Sequence, residues 1–316
     1  MTAETRARLQ TWLPLIVLVL LVLLVGGYDR SFFSTSNMLE VTSDTMTLFL
    51  MASGVTFVIM IGGIDLSVQA VASMTSCILA AYLPQLGAFA IPLAVLGGMV
   101  AGFAGGYVST RLRIPSFIAT LAVSGVVLSA GNWFSETKSV VIPREASQSY
   151  LRWAVGDFLG VPNEIWVGAV FLLILSAILG MTPFGRLVRG IGAQERAVMA
   201  SGIDVDRIKI AAYTLSGTMA GIAGVVMAAR LGSGSPTLAN EFLLPAIACI
   251  VVGGTAITGG VGSVWRTFIG ALIVQVVRIG MTFIGVSVFA QQIVFGFILV
   301  AAVAVTMDRT KVLIIK

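Results

Sequence analysis

The 316-residue chain is 58% hydrophobic and 10% charged, carries a net charge of +5, and holds 35 glycines but no histidine. Soluble domains have roughly 25% charged residues, and the mean hydropathy of +1.02 excludes a large aqueous domain. The absence of histidine excludes His-rich zinc sites, Ser–His catalysis and histidine proton relays together.

These values predict an all-α polytopic membrane protein, a single transmembrane domain over 1–316. About ten spans of about 20 residues would use about 200 positions. Arg6 and Arg8 precede the apolar run 12–25, and no small-x-small cleavage site follows it, so it is expected as an uncleaved first span. Further spans are expected at 44–61, 66–83, 87–109, 115–132, 164–182, 208–229, 243–258, 266–286 and 289–307, with both termini cytoplasmic. Of the 19 Lys and Arg, this arrangement places Arg30, Lys138, Arg144, Arg152 and Arg230 outside and Arg278 within a span. The others, including Arg309, Lys311 and Lys316 near the C-terminus, fall inside, in accord with the positive-inside rule. The net positive charge is therefore no nucleic-acid signal, and membrane lipid is the expected surroundings.

Two glycine-rich stretches interrupt the spans. The first runs Gly62-Gly63-Ile64-Asp65-Leu66-Ser67-Val68, and the second runs from Gly253-Gly254-Thr255 through Thr258 to Gly259-Gly260-Val261-Gly262. Irregular backbone at membrane depth is tolerated only when buried in protein or lining a wet cavity. Broken helices in the two halves of a transporter mark its pathway, so broken or re-entrant hairpins are expected here. Asp65 is expected to cap a helix starting at Leu66, since a charge at the bilayer centre costs about 2.5–3.5 kcal/mol. Gly98, Gly102 and Gly106 recur every four residues, as do Gly217 and Gly221, and predict close helix packing. Cys77 and Cys249 lie in apolar runs and are expected as fillers.

Residues 133–163 form the one long outside segment, a periplasmic loop whose Trp133 and Trp153 suit an interfacial belt. Residues 183–209 form a charged cytoplasmic loop with Arg186, Arg189, Arg196, Arg207 and Lys209 against Glu195, Asp204 and Asp206. Within it, Gly192 and Gly202 bracket a short helix, Ala193 to Ser201, too short to be stable alone. Its Ala193, Ala197 and Ala200 make a small-residue face, read either as part of a solvated loop or as a handle for a soluble partner. Polar groups available to an uncharged solute are Ser67, Ser116, Thr120, Asn132, Thr255, Thr258 and Gln275, with Asp65 beside them. No phosphate-binding loop, paired catalytic carboxylates or nucleophile elbow occurs. Energy for uphill transport must then come from an ion gradient or from another subunit's ATP.

Four segments together resemble one family over nearly the whole chain. They are Gly62–Val68, Ile114-Pro115-Ser116-Phe117-Ile118-Ala119-Thr120-Leu121, Phe184-Gly185-Arg186 continuing to Ala200-Ser201-Gly202-Ile203, and Gly253–Gly262. In this order they resemble the permease subunits of ribose-type ATP-binding-cassette sugar importers. The resemblance implies a bacterial inner-membrane permease, itself not an enzyme, that carries a monosaccharide or related polyol. It implies three partners: a cytoplasmic ATPase holding the ATP and Mg, a periplasmic sugar-binding protein, and a second permease copy or paralogue. It also implies that Gly192, Gln194, Glu195, Ala197, Ala200, Ser201 and Gly202 belong to the helix that couples to the ATPase. The chain departs from the family pattern at Gln69, Leu243, Pro245 and Arg266, which points to pairing with a paralogue. The competing expectation is an ion-coupled secondary transporter with Asp65 as the buried carboxylate.

Overall fold

The computed structural model describes the backbone of residues 3–306. Arg309, Lys311 and Lys316, assigned above to the inner side, lie outside the described residues.

The described residues form thirteen α-helices: α1 (Ala3–Tyr28), α2 (Thr35–Met60), α3 (Val68–Leu86), α4 (Ala90–Arg111), α5 (Ser116–Ser135), α6 (Arg144–Tyr150), α7 (Arg152–Val155), α8 (Asn163–Met181), α9 (Pro183–Ala200), α10 (Val205–Leu231), α11 (Leu243–Val252), α12 (Val264–Phe283) and α13 (Val288–Thr306). Helix α2 is the axis of the bundle. Every residue from Thr45 to Met60 is buried, the signature of a helix apolar on all sides and wrapped by others. Helices α3, α8, α10, α11 and α12 pack around it.

Glycine sets the tightest contact. A Cβ on Gly102 would stand 2.3 Å from the Tyr213 carbonyl oxygen and 2.9 Å from the Gly217 Cα, and one on Gly98 would stand 2.5 Å from the Gly217 carbonyl oxygen. The two glycine rows thus lie face to face and join α4 to α10 backbone against backbone, as the four-residue spacing predicts. Cys77 and Cys249 are both buried and free.

Six stretches among the described residues are long and apolar enough to cross a bilayer, fewer than the ten expected. One of them, Val68–Arg111, contains both α3 and α4, folded back on each other at Gly87 so that Gly97 meets Ile78 and Met74. The expected span 243–258 is corrected. Helix α11 stops at Val252 after 10 residues, about 15 Å of helix where the hydrocarbon core needs about 30 Å. Irregular chain follows it over 253–263.

The 133–163 segment is also more than a loop. It carries α6, α7 and a small hairpin of β2 (Asp157–Phe158) with β3 (Val161–Pro162). Its β1 (Val140–Val141) pairs antiparallel with β4 (Ser233–Gly234), just past the end of α10. Ile142, Leu151 and Ala154 are buried beneath this cap.

Candidate functional site: a junction of three glycine turns

Both glycine-rich breaks end their helices in the same way. After α2, the Gly63 N–H bonds the Val58 carbonyl and the Gly62 N–H bonds that of Ile59, each at 2.9 Å. After α11, the Thr255 N–H bonds Ile250 at 3.0 Å and the Gly254 N–H bonds Val251 at 2.9 Å. These are paired Schellman closures, with Gly62 (φ +79°) and Gly254 (φ +89°) in the left-handed conformation that favours glycine.

The breaks then meet. The Gly260 N–H donates to the Met60 carbonyl at 2.8 Å, so the second break satisfies one of the carbonyls left open at the end of α2. Gly192 of α9 closes the same point from the third side. A Cβ there would lie 1.8 Å from the Met60 oxygen and 2.2 Å from the Gly260 nitrogen. A Cβ on Gly259 would lie 2.9 Å from the Gly62 nitrogen and 3.1 Å from the Gly192 Cα. Three chain segments, far apart in sequence, therefore touch through backbone alone. A side chain on Gly192 or Gly259 would push them apart.

Directly after Gly192 the helix kinks at Gln194 (φ −160°, ψ 86°). Two helices therefore meet across this kink, and the one beyond it is the short helix expected over 193–201. α9 thus joins a helix that begins at Pro183, with Thr182 as its N-cap, to a short one that ends at Ala200. Gly202 closes it with φ +79°, the glycine position that was expected. Glu195 turns back and pairs with Lys209 at 2.6 Å. Arg111 reaches Asp206 at 3.2 Å and Asp204 at 3.6 Å, tying the end of α4 to the start of α10. Pairs this exposed contribute about 0–1 kcal/mol each, so they orient the segment more than they hold it. Ala193, Gln194, Ala197, Ala200 and Ser201 stay exposed, and Met199 is 55% exposed beside them. Behind this face a cavity of about 560 Å³ runs from Glu195 and Lys209 past Arg113 and Ser116 to Gly63 and Tyr213.

Asp65 is not the cap expected from the sequence. The N-cap of α3 is Ser67, which makes no side-chain capping bond. Asp65 is 1% exposed. Its Oδ1 accepts from the Ser67 N–H at 3.0 Å and the Ser67 hydroxyl at 2.6 Å, and its Oδ2 accepts from the Ser216 hydroxyl of α10 at 2.7 Å. The correction has a simple cause: a carboxylate buried at a helix break gains more from three donors than from one end of a helix. Helix α5 grips the same turn from the other side. The Ser116 hydroxyl accepts from the Ile64 N–H and the Thr120 hydroxyl from the Leu66 N–H, both at 3.1 Å.

At the far end of α2 lies a second polar group. Asp44 pairs with Arg230 of α10 through Oδ1 and accepts from Gln275 of α12 through Oδ2 at 2.9 Å. Arg230 also approaches Glu164 of α8 at 3.9 Å, and Ser43 donates to Glu164.

Residues 37–303 match the profile of the permease component of branched-chain amino acid transport systems. The chain belongs to this permease family. It is 33% identical to the ribose import permease protein RbsC of Escherichia coli K12 over 304 residues, 95% of each chain. It is 34% identical to RbsC of Bacillus subtilis over 94% of this chain and 92% of that one, and 30% identical to the fructose import permease protein FrcC of Rhizobium meliloti over 92% and 84%. No solved structure matches it significantly. The permease is of the ribose type found in ATP-binding-cassette importers, and it is not an enzyme: the ATPase is a separate subunit.

The permease gathers only some of the polar residues singled out from its sequence. Asp65, Ser67, Ser116 and Thr120 meet at the first break. Thr255 is buried at the second break, its hydroxyl lacking a hydrogen-bond partner among the described residues, and Thr258 is exposed at the tip of that break. Gln275 belongs to the Asp44 group at the other end of the bundle. Asn132 bonds the Leu128 carbonyl on its own helix at 3.0 Å and joins neither group. The sequence argument missed Ser43, Asp44, Glu164 and Arg230. Each stands within a turn or two of a span end, where charge is ordinary, and nothing in their spacing pairs residue 44 with residue 230.

Proposed function

We propose that this permease carries a monosaccharide or related polyol inward, received from a periplasmic binding protein and driven by the ATPase subunit docked on the exposed face beyond Gln194. The observation that carries the reading is the contact of Gly192 with Met60 and Gly260. Through it, a push on Ala193–Ser201 is delivered to the end of α2 and to the second break at once, without an intervening flexible side chain. Packed elements of this kind shift between discrete arrangements rather than deforming smoothly.

The sugar assignment is supported by relatives named for ribose and fructose import. As a permease subunit the chain is a multi-pass protein of the inner membrane. We take α1–α5, α8 and α10–α13 as ten membrane elements, with both termini and 183–209 on the cytoplasmic side and 133–163 outside. Helix α11 and the irregular chain after it complete one crossing between them. The second permease is a copy or a paralogue, and ATP and Mg belong to the ATPase. The ion-coupled alternative loses its main support, because both carboxylate oxygens of Asp65 are occupied by serine donors.

The test is reconstitution of the permease with its ATPase, followed by a bulky substitution on the docking face. Ala197→Trp should abolish ATP-driven sugar uptake and ATPase co-purification while membrane insertion is unchanged. Unchanged uptake by Ala197→Trp would overturn the docking face. Sugar accumulation by the permease alone under an ion gradient would overturn the ATP-driven reading.

A further inference from the structure

The second polar group lines a cavity of about 460 Å³ between α2, α10 and α12, walled by Asp44, Arg230, Phe242, Gln275 and Arg278 with Glu40 at its rim. That volume lies in the range of small-molecule sites, about 300–1,000 Å³. We propose that this cavity is a binding subsite within the permease for an uncharged, cyclic polyhydroxylated solute; the proposal rests on the transport reading above and names where the solute first lodges.

Three observations carry it. First, the charges lining the cavity balance: Glu40 and Asp44 line it together with Arg230 and Arg278, while Glu164, 3.9 Å from Arg230, is not among its walls. A charged solute would upset this balance, whereas a neutral one would not. Second, the polar groups are held in place before any ligand arrives. Asp44 fixes Arg230 with one oxygen and the Gln275 amide with the other, and Gln275 is only 2% exposed. Guanidinium and amide groups are flat forks that can hydrogen-bond two neighbouring hydroxyls together. The Arg278 guanidinium lies over the Phe242 ring, 5.4 Å from its centre, a cation–π contact that fixes this donor as well. Third, the cavity is at the correct end. Arg230 follows Lys209 by 21 positions on α10, about 32 Å at helical rise, so the cavity and the coupling segment are separated by about one hydrocarbon thickness. Chain leaving α10 at Ser233–Gly234 pairs at once with Val140–Val141 of the 133–163 cap. A solute delivered on the face opposite the ATPase would meet this cavity first.

Saturation-transfer NMR on the detergent-solubilised full chain, with D-ribose, D-fructose and L-arabinose as probes and L-leucine and D-gluconate as comparators, tests the proposal. At least one neutral sugar should show transfer that Gln275→Ala and Arg278→Gln each lower by at least about fivefold, the factor expected for one lost hydrogen bond. Arg278→Gln is the safer variant, because it leaves the Asp44–Arg230–Gln275 contacts in place. Absent transfer from every sugar, equal transfer in wild type and both variants, or preferential transfer from leucine or gluconate would overturn the subsite. ATP-driven uptake by the reconstituted complex separates this failure from the wider one. Sugar uptake with the same KM in wild type and Arg278→Gln removes the subsite and leaves the transport reading intact. Uptake of leucine but no sugar removes both.

Discussion

The amide of Gly260 caps the carbonyl of Met60 at 2.8 Å, so the second broken helix completes the hydrogen bonding of the helix that leads into the first. Gly192 fits against that bond with no room for a methyl group. Gly192→Ala is therefore an overpacking change at a backbone contact, costing about 1–3 kcal/mol. That is enough to lower the population of the closed junction by about tenfold. ATP-driven uptake in proteoliposomes should fall by about that factor, while the amount of inserted protein and its co-purification with the ATPase stay unchanged. Normal uptake by Gly192→Ala would show that the junction does not carry the push.

The α4–α10 contact makes a prediction about stability instead. Gly102→Ala would set its Cβ against the Tyr213 carbonyl and the Gly217 backbone, again at about 1–3 kcal/mol. The detergent-solubilised permease should lose several degrees of Tm, at about 2–4 °C per kcal/mol for a domain approaching this size. Gly125→Ala on α5 is the control, because a Cβ there meets nothing within 4 Å. It should leave Tm unchanged or raise it slightly, since alanine favours helix. Equal losses from both variants would mean that the glycine rows are not what joins these helices.

These cases show which parts of the molecule could be seen in the residues. Glycine at every fourth position carries its own packing instruction, so Gly98, Gly102 and Gly106 could be matched to Gly217 and Gly221 before any coordinates. The breaks at Gly62 and Gly254 were visible too, because glycine pairs inside apolar runs have few other uses. The meeting of Gly192, Met60 and Gly260 was not visible: it depends on three-dimensional closure between segments separated by more than 60 residues. Asp65 failed for a related reason. A cap is a local guess, and the third donor to this carboxylate, Ser216, comes from a helix about 150 positions away. Asp44 and Arg230 looked like ordinary end charges until the antiparallel run of α2 and α10 brought them together.

Glu195 and Lys209 allow a test by exchange. Their 2.6 Å contact joins the coupling segment to the first turn of α10, at a partly exposed site where an ion pair contributes about 0–1 kcal/mol. Glu195→Lys or Lys209→Glu alone sets like charges against each other, and each should weaken ATP-driven uptake with little change in Tm. The double exchange restores the opposite charges and should recover most of the uptake. Stopped-flow or filter-binding uptake assays read this directly. A double variant no better than either single one would place Glu195 in contact with the ATPase rather than with Lys209.

The buried Asp65 distinguishes a structural carboxylate from one that moves ions. Asp65→Ala strands the Ser67 amide, the Ser67 hydroxyl and the Ser216 hydroxyl without their acceptor, and each unpaired buried group costs about 1–3 kcal/mol. The turn between α2 and α3 should loosen, with a marked fall in Tm and lost uptake. Asp65→Asn keeps one carbonyl oxygen, which can still accept from Ser67, while its amide group faces a Ser216 hydroxyl free to rotate and become the acceptor. That variant should retain a near-normal Tm and a substantial part of ATP-driven uptake. A carboxylate that carried a coupling ion would behave otherwise: Asp65→Asn would fold normally and transport nothing, and wild-type uptake would follow an imposed proton or sodium gradient. Measuring Tm and uptake together on Asp65→Asn therefore decides whether the oxygens hold the break in shape or take part in the transport cycle.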